Sequence, residues 1–120
     1  MALCILYKGD KMDKMNAFLN LIGALNDETR VIILAFLQNH GELCVCDLQN
    51  ALDLKQSRLS RHLKILKDCG FLYVKRKGTW AYYGINENLS IFHIECLKAI
   101  QELQLSLPPL QKITCNNHKG

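Results

Sequence analysis

A chain of 120 residues suffices for one domain with its own core and hardly for two. Hydrophobic residues make up 49% of it, yet no apolar run approaches the roughly 18 residues of a membrane span, so a soluble protein without a membrane partner is expected. The net charge of +4 is unevenly spread: Lys55, Arg58, Arg61, Lys64, Lys67, Lys75, Arg76 and Lys77 stand against Asp68 alone within residues 55–77, a run that alone reads as a solvated face but that overlaps a helix-turn-helix pattern and so favours a phosphate-facing surface.

In chain order, "ALCILY" near the start is short and follows no basic segment, so it predicts no secretory leader and a cytoplasmic protein. The six cysteines are then expected as reduced thiols rather than as a disulfide scaffold. Phe18, Leu19, Ile22 and Leu25 share one face of a first helix, and "NDETR" supplies a cap and an acidic first turn for a second, which carries Val31, Leu34 and Ala35 and stops near Gly41. A short third helix is predicted from about Cys44 to Leu52, and "DLKQ" turns the chain into a fourth over about Gln56 to Cys69. "FLYVKRKGTWAYYGI" has β-branched and aromatic residues on both sides of "KGT" and predicts a hairpin, and a last helix runs from about Leu89 to Leu105. The organisation expected is an N-terminal extension over 1–12, a domain over 13–106 and a flexible tail over 107–120, with Met12 an alternative start. The fold class is mainly α with a small β-hairpin (α+β), a winged helix-turn-helix.

A recognition helix presents its N-terminal half to the major groove, where Gln pairs with adenine and Arg with guanine while Ser and Lys hold phosphates. Gln56, Ser57, Arg58, Ser60, Arg61, His62 and Lys64 are the candidates on the fourth helix, and Lys75, Arg76 and Lys77 those of the wing. His62 has a second reading, since a histidine beside Leu63 can serve packing instead. Leu59, Leu63 and Leu66 supply the buried face, and Trp80 and Tyr82 read as strand packing. The last helix carries Leu89, Phe92, Cys96, Leu97, Ile100 and Leu103, more apolar surface than one small domain hides, so a homodimer through the first and last helices is expected.

"ALNDETRVIILAFL", "ELCVCDL", "QSRLSRHLKILKDCGFL" and "VKRKGTWAYYGIN" together resemble the ArsR/SmtB family of metal-sensing bacterial repressors over roughly residues 16 to 105. The cysteines of "ELCVCDL" are similar to those of its arsenic-responsive branch. That resemblance implies a homodimer on double-stranded operator DNA, released when As(III) or Sb(III) binds Cys44 and Cys46, with no permanent cofactor. In that branch a third cysteine often stands three residues after the second, where this chain has Gln49. A further sulfur would have to come from Cys4, Cys69, Cys96, Cys115 or a small cellular thiol, although Cys69 and Cys96 fit packing positions. His93 and Glu95 do not make the histidine and carboxylate set that the resemblance requires for an interface zinc site.

On a regular helix, cysteines at i and i+2 lie roughly 7 Å apart at Cβ, too far for two sulfur bonds of about 2.3 Å to one ion, so binding is expected to distort the first turn. A helix start also lowers a thiol's pKa and favours thiolate, which soft ions select. The bland reading makes the pair small buried hydrophobes. No catalytic Cys/His/acid set or phosphate-cradling loop is visible, and "CVC" is not the CxxC of redox catalysts, so an enzyme is not expected. The alternative function is a repressor responsive to thiol redox state or to another soft metal.

Overall fold

The computed structural model describes residues 10–111, beginning with helix α1, Asp10–Leu25. Asp27, in extended conformation, then caps α2, Glu28–His40, by accepting the Arg30 backbone N–H at 3.1 Å. Gly41 ends α2 at φ 79°, its N–H returned to the Leu37 carbonyl. A two-residue strand β1, Leu43–Cys44, leads directly into α3, Val45–Leu52. Asp53, in the left-handed region at φ 55°, turns the chain into α4, Gln56–Asp68. The hairpin follows as β2, Leu72–Lys77, and β3, Trp80–Ile85, and the last helix is α5, Ile91–Glu102.

The architecture expected from the sequence is the one observed, with one addition: β1 joins the hairpin, giving an antiparallel sheet of order β1-β3-β2. Leu43 pairs with Tyr83 and Cys44 with Tyr82, while Tyr73 pairs with Gly84 and Lys75 with Tyr82. Two residues carry no readable alternation, which is why the sequence assigned Cys44 to a helix start instead.

The core lies between α2, α4 and the inner face of the sheet. Ile33, Leu34, Phe36, Leu59, Leu63, Leu66 and Phe71 are completely buried within it. At about 1.5–3 kcal/mol for each fully buried leucine, Leu59, Leu63 and Leu66 fix α4 by one face. His93 joins α5 to the end of α4: its Nε2 lies 2.9 Å from the Cys69 carbonyl, and its Nδ1 2.7 Å from Ser90 Oγ at the start of α5. Gly70 at φ 95° makes room for that ring, since a Cβ there would stand 3.0 Å from His93 Nε2. Helices α1 and α5 meet through Phe18 and Phe92, whose rings are 5.4 Å apart, and leave Phe18, Leu19, Ile22, Ile91, Ile94 and Leu103 exposed. Among the described residues no helix is long and apolar enough to cross a membrane.

Candidate functional site

Opposite its buried leucines, α4 exposes Gln56, Ser57, Arg58, Ser60, Arg61 and Lys64, with Lys64 paired to Asp68 at 2.8 Å. His62 is placed differently. It is 8% exposed, and its Nδ1 lies 3.1 Å from Nη1 of Arg30. Arginine can only donate, so Nδ1 accepts and the ring proton sits on Nε2. Burial pushes the His62 pKa down; Asp27 opposes this, and Arg30, Arg58 and Arg61 reinforce it. The packing alternative weighed for this histidine therefore describes its surroundings.

Arg30 was not singled out from the sequence. Its Nε donates to the Ala24 carbonyl at 2.7 Å and its Nη2 lies 3.9 Å from Asp27, so one guanidinium joins the end of α1, the start of α2 and the middle of α4. The available signal was a cation in a helix's first turn, where the dipole disfavours it and another interaction must compensate.

The three basic wing residues also divide. Alternation along β2 puts Tyr73, Lys75 and Lys77 on one face, where Lys75 and Lys77 lie 3.5 and 3.6 Å from the Glu42 carboxylate. Tyr73 donates its hydroxyl to the same carboxylate at 2.6 Å. Arg76 instead borders a cleft of about 380 Å³ between α3, α4 and the hairpin, together with Cys46, Gln49, Gln56, Ser60 and Trp80.

At the cysteine pair, Cys44 is the N-cap of α3 with extended backbone, φ −70° and ψ 148°, rather than a helical residue. Its Sγ consequently lies 3.0 Å from that of Cys46. This overturns the expectation that binding one ion must distort the helix, because the assumed helical spacing does not apply. Two sulfur bonds of about 2.3 Å to one centre, at angles between about 90° and 110°, place the sulfurs roughly 3.3–3.8 Å apart. A few tenths of an ångström of opening suffices.

The expectation of a favoured thiolate also fails at Cys44. The residue is 2% exposed, and burial pushes its thiol up despite the backbone N–H groups of Cys46, Asp47 and Val45 that favour the anion. Cys69 and Cys96 are free thiols, whereas Cys46 is disulfide-bonded, so the expectation of reduced cysteines does not hold for Cys46. Cys69 and Cys96 pack against the core as expected. Among the described residues no group of three or more His, Cys, Asp or Glu side chains is placed to hold a metal ion. Cys4 and Cys115, the other sulfurs considered, lie outside the described residues.

Comparison with known proteins bears on this arrangement. Residues 27–74 match the family described as bacterial regulatory protein, arsR family. Over 92 residues, 77% of this chain and 100% of the other, the chain is 34% identical to the HTH-type transcriptional regulator MJ1325 of Methanocaldococcus jannaschii. The chain belongs to the ArsR family. Within this ArsR-family protein the matched segment runs from the α2 cap into β2, taking in the cysteine pair and the whole recognition helix. A further relative is the arsenical resistance operon repressor of Escherichia coli, 42% identical over 71 residues, 59% of this chain. The match spans only 61% of that repressor's own length. HlyU from Vibrio cholerae superposes with a TM-score of 0.63 at 27% identity, covering 75% of this chain and 94% of that one. The relatives are regulators of transcription and not enzymes.

Proposed function

We propose that this protein is a metalloid-responsive transcriptional repressor of the cytoplasm, binding operator DNA as a homodimer and released when As(III) or Sb(III) binds Cys44 and Cys46. The observation that carries the reading is the 3.0 Å sulfur pair at the junction of the two DNA-facing elements. Cys44 is in register with Tyr82 of the central wing strand, and Cys46 borders the cleft that separates Gln56 and Ser60 of α4 from Arg76 of the wing. Occupying the pair acts on the relative placement of helix and wing. A ligand that binds the free form better than the DNA-bound form must release the operator by the same factor.

The raised Cys44 thiol favours a trivalent hydroxide over a divalent cation. Each thiol that replaces hydroxide on As(OH)3 forms one As–S bond, breaks one As–O bond and sends its proton away as water, with no change of oxidation state. A divalent ion requires the thiol to lose its proton outright. The arsenical repressor of Escherichia coli supports the same choice by its name. The reading concerns the reduced protein. A thiol-redox repressor is the second reading, favoured by the disulfide-bonded state of Cys46.

On the DNA side, Gln56, Ser57, Arg58, Ser60, Arg61 and Lys64 face the groove, Arg76 meets backbone from the wing, and His62 acts from beneath by holding α4 against Arg30. The exposed apolar side chains of α1 and α5 form the dimer surface, placing half-sites of an inverted repeat about 10 base pairs or a multiple apart. Sedimentation showing a monomer that still binds DNA specifically would contradict this. The switch is tested by operator anisotropy under reducing conditions with the Cys44→Ser, Cys46→Ser double variant. That variant should bind like the parent and ignore arsenite; release equal to the parent's would place the inducer site elsewhere.

A further inference from the structure

One carboxylate on the sheet is surrounded by the cations that were read as phosphate contacts. Glu42 immediately precedes β1, whose Leu43 pairs with Tyr83, and the next residue of β3, Gly84, is the partner of Tyr73 and leaves a gap where a side chain would stand. The Tyr73 phenol occupies that gap, since a Cβ on Gly84 would stand 2.5 Å from its oxygen. It thereby reaches the Glu42 carboxylate at 2.6 Å. Lys75 and Lys77, two and four residues further along the same face, close on the carboxylate at 3.5 and 3.6 Å. Lys77 is additionally held over the Tyr82 ring at 4.8 Å and Lys75 over Tyr73 at 5.7 Å.

The geometry points to Glu42 as a positioning residue that sets the strength of the wing's grip on phosphate, by holding Lys75 and Lys77 in an internal ion cluster that nucleic acid must open. One carboxylate is thus shared by the Tyr73 hydroxyl and both lysine ammonium groups. The lysines remain more than half exposed, so a polyphosphate competes for them on nearly equal terms with one carboxylate. Sequence-independent affinity is in this way held below what the wing's cation count implies, which leaves a larger share of binding to the base-reading helix. The inference rests on the DNA-binding reading for its biological meaning.

The test compares the parent, Glu42→Gln, Lys75→Ala/Lys77→Ala, and the triple variant. Two readouts are used: salt elution from heparin–agarose, and the salt dependence of binding to a random-sequence duplex. Gln keeps an acceptor for Tyr73 and removes the charge. Glu42→Gln should elute at higher salt and steepen the slope of log K against log salt by about one to two per bound protomer, and neither change should occur in the Lys75→Ala/Lys77→Ala background. Tyr73→Phe, which keeps the charge but unpins the carboxylate, should move partway in the same direction and carries the test if Glu42→Gln folds poorly. An unchanged slope and elution overturn the inference. A shift of equal size without the lysines also overturns it, because the carboxylate would then act by plain repulsion. A parent that binds heparin but no duplex defeats the DNA-binding reading while the heparin arm still decides this one.

Discussion

Adding arsenite to the reduced protein should leave α3 folded. The two sulfurs stand 3.0 Å apart with Cys46 disulfide-bonded, and once Cys46 is reduced they need to open only to roughly 3.3–3.8 Å, a change that side-chain rotation absorbs without breaking backbone hydrogen bonds. Unwinding α3 would instead expose Leu48, which is completely buried and contributes about 1.5–3 kcal/mol by that burial alone. A 100-fold release of operator needs roughly 2.7 kcal/mol of coupling, so a remodelled helix would consume an amount comparable to the whole effect. Far-UV circular dichroism separates the alternatives. α3 supplies 8 helical residues against 16, 13, 13 and 12 in the other helices, so its loss would remove about an eighth of the signal at 222 nm. The expected result is an unchanged spectrum at saturating arsenite while operator anisotropy falls. Loss of an eighth of the ellipticity in step with release would refute the argument from sulfur spacing.

Arg61→Ala should lower specific binding by about 1–3 kcal/mol, whereas Arg76→Ala should weaken all sequences alike and flatten the salt slope by about one; equal effects of both on specific and random DNA would remove the division between helix and wing. Arg30→Met should cost about 2–4 kcal/mol in urea unfolding, from a charge-assisted bond lost at Ala24 and a buried His62 nitrogen left without its donor; a change below about 0.5 kcal/mol would show the cluster to be incidental. Between pH 6 and 8 arsenite affinity should stay nearly flat, since thiol protons leave as water, while cadmium affinity should rise by up to about two log units per pH unit as two thiols deprotonate. The raised pKa of Cys44 extends that rise to higher pH, and competition titrations showing the same slope for both ions would reject the assignment of chemistry.

Much of the fold was legible because its signals are local. The leucines at 59, 63 and 66, the cap at Asp27, the stop at Gly41 and the turn at Gly78 act within a few residues of themselves, and periodicity along α4 names its buried face without any knowledge of what covers it. The basic stretch and the paired cysteines were equally plain as composition, and with them the choice between a nucleic-acid binder and an enzyme.

Tertiary structure decided how those residues are used. A two-residue strand, too short to announce itself, pairs with β3 and holds Cys44 in extended conformation, which brings the sulfurs together and buries the thiol that a helix start would otherwise acidify. Arg30 and His62 are 32 positions apart and Glu42 and Tyr73 are 31 apart, so neither pairing lies within the reach of helix or strand periodicity. The sequence by itself determined which charges this protein carries and which faces its helices bury, because both follow from residue type and local spacing. Which cations stand toward phosphate, which are already held by a carboxylate, and which histidine lies beneath the recognition helix were decided only when distant segments packed, since an ion pair or a desolvation depends on distance in space and not along the chain.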